Sequence, residues 1–161
     1  PIITYIPFLV SQFIADPFYI GVYLSLMAVV ASITSFFIGW LARKFGLKML
    51  MVYGSVICVL AVFGFALSPS LLVLGIFISI YGIGHGMNMP SIYAALATIS
   101  KNENRGILMA ANRMVGMVGQ TLGPLVYGSV FIISGMWGVA VLSLLIVIAA
   151  VFILFYGMKK G

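Results

Sequence analysis

Acidic side chains are almost absent from this chain: its 161 residues include two, Asp16 and Glu103. Histidine and cysteine occur once each, as His85 and Cys58. A single histidine cannot build a histidine-based metal cluster. A lone thiol in an apolar run gives neither a disulfide nor a metal site, and inert packing is its ordinary role. The chain has no G-x-x-x-x-G-K-S/T phosphate loop and no pair of aspartates in an apolar run, so it is expected not to be an enzyme and to carry no ATP-driven machinery of its own. Charged residues of both signs make up 6% of the chain, where soluble domains carry roughly a quarter. Too little polar side chain remains to cover a water-soluble fold of this size.

What is present is hydrophobic: 64% of residues, with a mean hydropathy of +1.29. Seven of the eight basic residues fall in three short polar segments, Arg43/Lys44/Lys48, Lys101/Arg105 and Lys159/Lys160. Long apolar runs separate them, and the turns midway along those runs, 68–70 and 134–138, are uncharged. Lys and Arg are retained on the cytoplasmic side of a membrane, so the alternation predicts sidedness as well as spans. The reading is an integral, multi-pass protein of the cell (inner) membrane with a cytoplasmic C-terminus. The net charge of +6 then belongs at membrane boundaries, beside anionic headgroups, rather than on a nucleic-acid surface.

Spans are expected over 20–42, 48–67, 70–99, 105–134 and 137–158. The stretch 1–10 is about half of the ~20 residues a crossing needs. The chain opens on Pro1, so it is read as a larger protein entered partway through a helix. Asp16-Pro17 marks a turn. Backbone polar groups in hydrocarbon must pair within their own segment, so the fold class expected is all-α, a polytopic transmembrane helical bundle.

The spans differ in polarity. Those over 48–67 and 137–158 are nearly all apolar and suited to lipid. The spans over 70–99 and 105–134 carry His85, Asn88, Asn112, Arg113 and Gln120, groups that point into a bundle or a wet cavity. At about 100° per residue, Asn112, Gly116, Gly119 and Gly123 share one sector of their helix, expected to pack against another helix. Arg113, Gln120 and Tyr127 share a second sector, expected to face a cavity. In the preceding span Tyr81, His85 and Asn88 cluster away from Gly82 and Gly86, a spacing that permits close helix contact. Pro90 and Gly123-Pro124 interrupt the hydrogen-bond ladder in these same helices, and such breaks mark transporter binding regions. These residues are read as packing and hinge positions.

Arg113 is the foremost candidate for substrate or coupling contact. An arginine at membrane depth costs at least ~2.5–3.5 kcal/mol and needs a counter-charge or water; the alternative is a structural arginine reaching to the interface. His85 titrates ordinarily near neutrality, so it is a candidate proton carrier or gate. Its alternative is a neutral histidine bonded to a neighbouring helix. Tyr81, Asn88, Gln120 and Tyr127 are candidate cavity hydrogen-bonders, with helix-to-helix bonds as their alternative.

Three motifs then suggest a family. GWLARKFGLK, residues 39–48, resembles the loop signature of the major facilitator superfamily, with Gly39, Lys44, Gly46 and Lys48 matching and Arg43 standing at the family's acidic position. NRGILMAANRMVGMVGQTLGPLVYG, residues 104–128, is similar to the eleventh helix of its drug-efflux members. GIGHGMNMP, residues 82–90, resembles the glycine-rich tenth helix. The resemblance implies one six-helix half of a twelve-helix fold, helices seven to twelve, with the first truncated and the N-terminal half missing. It implies a secondary transporter working by alternating access, with a small-molecule substrate, the lipid bilayer and the other half as partners. No cofactor is expected; a proton gradient would supply the energy for efflux of a drug or small organic molecule. Two alternatives stay open: uptake of an organic anion partnered by Arg113, and a non-transporting membrane scaffold or sensor.

Overall fold

The computed structural model describes residues 6–14, 16–100 and 104–157. Lys101, Glu103, Lys159, Lys160 and the stretch 1–5 lie outside the described residues. Among those described, secondary structure is helical throughout: α1 (Ile6–Ser11), α2 (Pro17–Phe36), α3 (Ile38–Phe45), α4 (Leu47–Ala66), α5 (Leu71–Ile99) and α6 (Arg105–Gly157). Four of them, α2, α4, α5 and α6, are long and apolar enough to cross a membrane. The protein is therefore an all-α, multi-pass membrane protein.

Local chemistry sets the boundaries. Asp16 caps α2, its carboxylate accepting from the Phe18 N–H at 2.9 Å, and Pro17 occupies the first helical position, where no N–H is needed. The span expected over 20–42 is two helices, broken at Phe37. Just before the break, Thr34 and Ser35 donate back to the Val30 and Ala31 carbonyls, at 2.9 and 2.8 Å. Hydroxyl back-bonding of this kind bends helices. Past the break the sequence changes character, with Trp40, Arg43 and Lys44 on one short amphipathic helix. The Lys44 ammonium lies over the Trp40 and Phe45 rings, 5.5 and 5.4 Å from their centroids. The sequence motif at 39–48, expected to be a loop, is thus mostly helix. Its one turn residue is Gly46, whose φ of 78° lets the chain leave α3 and enter α4.

The spans expected over 105–134 and 137–158 form one helical run interrupted at Gly135, with φ 63° and ψ −159°. A residue with a Cβ rarely adopts that conformation. The chain reverses there, because Tyr127 and Ser143, set symmetrically about Gly135, lie with their hydroxyls 3.4 Å apart. We call 105–134 the first arm of α6 and 136–157 the second.

Packing follows polarity for α5, which is well covered, and departs from it for α4 and for the 105–134 stretch of α6. Over their most apolar 18-residue stretches, α5 (44% buried) and α4 (39%) are the best covered, against 17% for the stretch in α6 and 6% for α2. The α4–α5 seam is tight because Gly54 and Gly84 face each other: a Cβ on Gly84 would lie 2.6 Å from the Gly54 carbonyl oxygen and 2.7 Å from the Cys58 sulfur. On the other side of α5, Gly82 and Gly86 take up the backbone of α2, at Met27 and Ala31. Alternating glycines thus let α5 approach two helices at once. Span 48–67, read as suited to lipid, is covered here by α5, while 105–134, read as facing a bundle or cavity, is left open by the described residues. No residue of 105–126 is buried, and nothing lies within 4 Å of a Cβ placed on Gly116 or Gly119. Polarity marked a face to be covered; the described residues supply no helix to cover it.

Candidate functional site

Pro90 lies inside α5 and has no N–H to give to the carbonyl four residues earlier, that of Gly86. In hydrocarbon an unmet carbonyl costs several kcal/mol unless another donor reaches it. The Ser35 hydroxyl of α2 stands 3.1 Å from the Gly86 oxygen, and 2.8 Å from its own helix's Ala31 carbonyl. It reaches across because Gly86 has no side chain to hold the helices apart.

This bond sits in the wall of a groove of about 510 Å³ between α2 and α5, lined by Ser32, Ser35, His85, Met89, Pro90 and Tyr93, among others. His85 is half-buried, with its ring tilted against Tyr81 at a centroid distance of 6.3 Å. Hydroxyls, an imidazole and a phenol along a weakened stretch of helix form a hydrogen-bonding surface that can change shape.

The other candidates disperse. Asn88 lies on the α4 seam rather than in the groove; with its amide oriented to suit its neighbours, it donates to the Met51 carbonyl at 2.9 Å and accepts from the Ser55 N–H at 3.2 Å. Tyr81 is buried in the core, its ring 6.1 Å from that of Phe65. Tyr127 is 7% exposed and its hydroxyl lies 3.4 Å from that of Ser143 of the second arm, which donates to the Val139 carbonyl at 2.7 Å.

Arg113 and Gln120 are exposed, yet they continue the stripe that Tyr127 begins. The first arm therefore leaves the bundle beyond Tyr127, carrying its polar stripe clear of α5. Pro124 removes the donor opposite the Gln120 carbonyl at the same level. Asn112 and Gly123 are half-buried. Among the described residues no group of three or more metal-ligating side chains occurs.

Sequence reasoning missed Ser32, Ser35 and Tyr93. The orphaned Gly86 carbonyl is legible as the residue four before Pro90, but its donor belongs to a helix whose register against α5 is set in three dimensions.

Residues 2–160 match the profile of the Major Facilitator Superfamily. The chain is also similar to the multi-drug resistance efflux pump PmrA homolog of Lactococcus lactis subsp. lactis (strain IL1403), at 31% identity over 106 residues. That match takes in 66% of this chain and 26% of the relative, so the aligned region spans about a quarter of the relative's length. No solved structure matches the chain. With the family profile covering nearly every residue of a bundle of apolar, glycine-packed helices, the chain belongs to the major facilitator superfamily, and it resembles that family's drug-efflux branch.

Proposed function

We propose that this chain is part of a secondary active transporter that exports a small organic molecule or drug by alternating access, driven by a proton gradient. It would lie in the cell (inner) membrane with its C-terminus in the cytoplasm, working against a further transmembrane half of the same protein. Its small-molecule cargo would meet His85, Ser35 and Tyr93 from the α2–α5 groove and Arg113 and Gln120 from the first arm of α6.

One observation carries this reading. Arg113 stands inside an apolar span, about 12 Å along the helix from Arg105, with its polar stripe uncovered by the chain. The described spans contain no acidic residue: Asp16 caps α2 at its end. A guanidinium at that depth requires an anionic or aqueous partner, which another part of the protein, the cargo or the water of a cavity would supply. The relative's printed description as a multi-drug efflux pump supports export.

Uptake of an organic anion by the same fold is the second reading, favoured by the positive charge of Arg113 itself. Counterflow in vesicles separates the two. Efflux is supported if labelled cationic dyes exchange and organic anions do not; the reverse result supports anion uptake. Failure of every solute to exchange, with a partner protein co-purifying in fixed ratio, supports a scaffold instead.

A further inference from the structure

The wall of α4 opposite α5 holds a second groove, of about 680 Å³, formed with the second arm of α6. Val52, Val56 and Phe63 line it from α4, and Leu144, Ile148 and Phe152 from α6. Its surface is wholly hydrocarbon. On α4 these three lie roughly 180° from Leu50, Gly54, Ala61 and Phe65, which are turned to the bundle, while the buried Val59 forms the groove's inner edge. The groove therefore faces outward into lipid, away from the α2–α5 groove.

Its length is informative. From Val52 to Phe63 is about 16 Å of helix, close to half the ~30 Å hydrocarbon thickness and so to one leaflet. At the far end Phe63 meets Trp137 edge to face, ring centroids 6.4 Å apart. At the near end, one turn before Val52 and on the same side of α4, stands Lys48, exposed. It is the only charged residue of α4, and 136–157 carries none. Arg43 and Lys44 of α3 lie at the same end. A lysine at the mouth of a leaflet-long apolar trough matches one molecule: a lipid with an anionic headgroup and an acyl chain.

We propose that this groove is a phospholipid site, holding one acyl chain between α4 and the second arm of α6 with the anionic headgroup against Lys48. The lipid would brace the second arm, which otherwise rests on α4 across an open trough.

The test is tryptophan quenching in vesicles. The reporter is Phe152→Trp, placed in a Trp40→Phe/Trp137→Phe background. The protein is reconstituted in phosphatidylcholine containing increasing fractions of phosphatidylglycerol brominated on its acyl chains, or of equally brominated phosphatidylcholine. Half-maximal quenching is expected at a several-fold lower fraction of the brominated phosphatidylglycerol. Lys48→Gln should abolish that difference and Lys48→Arg should retain it. A reporter on the first arm, Val115→Trp, should show no preference. Equal quenching by the two lipids at position 152, a preference that survives Lys48→Gln, or the same preference at position 115 would each overturn the site.

Discussion

The hydroxyl of Ser35 lies 3.1 Å from the carbonyl oxygen of Gly86 and 2.8 Å from that of Ala31, so its single proton, shared between them, partly replaces the donor that Pro90 withholds within α5. The bond ties together the two helices that form the candidate groove. It also leaves α5 free to bend at a point where no intrahelical bond must break. Ser35→Ala should lower stability by about 0.6 kcal/mol, up to ~1.7, the range for interhelical hydrogen bonds in membranes. In a Pro90→Ala background, where Gly86 regains its own donor, the same substitution should cost close to nothing. Thermal unfolding of the four proteins of this cycle in detergent measures the coupling; strictly additive losses would show that Ser35 does not serve Gly86.

Glycines divide by what surrounds them. Gly84→Val should destabilise by about 1–3 kcal/mol, as overpacking does, because Gly54 and Cys58 already occupy the space. An added Cβ at Gly116 or Gly119 meets nothing within 4 Å, so Gly116→Val and Gly119→Val should leave the melting of this chain unchanged. If their face meets the rest of a transporter, the same two substitutions in the full protein should reduce transport at unchanged membrane levels. Unfolding curves and transport assays on matched samples check both halves of this contrast.

Gly135 reverses the chain at φ 63°. Gly135→Ala should cost roughly 1 kcal/mol or more, from a conformation that a Cβ disfavours. The loss should appear as weakened association of the two arms, read by a disulfide trap between Tyr127→Cys and Ser143→Cys. Undiminished cross-linking would mean that the turn does not depend on glycine.

Arg43, Lys44 and Lys48 are expected to hold their end of α3 and α4 in the cytoplasm. Replacing all three with Gln should raise the fraction of molecules inserted with that segment outside, as read by reporter fusions at residue 46. An unaltered orientation would assign sidedness to the other basic segments.

The membrane class and helical composition were legible because apolar runs and basic punctuation are local properties of a sequence. Gly82 and Gly86 announced a close helix contact, and the structure puts the backbone of α2 against them. Gly54 and Gly84 did not stand out, since their value lies in facing each other across two helices. The break at Phe37 was hidden inside an apolar run and depends on hydroxyls bonding back along α2. Arg113 and Gln120 were grouped with Tyr127 by helical period, and they do share its stripe. That Tyr127 is buried while the other two are not reflects the departure of the first arm from the bundle, which no single-helix pattern encodes.

Proton-driven export through a site that includes Arg113 is tested most directly by dye transport in everted vesicles bearing the full-length protein. On imposing an inward-acid gradient, the unaltered protein should accumulate a cationic dye such as ethidium, and a protonophore should abolish the uptake. Arg113→Ala, inserted at normal levels, should lose at least about tenfold in rate, equivalent to ~1.4 kcal/mol. Full gradient-driven transport by Arg113→Ala would remove Arg113 from the mechanism, and no transport of any dye by the unaltered protein would contradict proton-driven export itself.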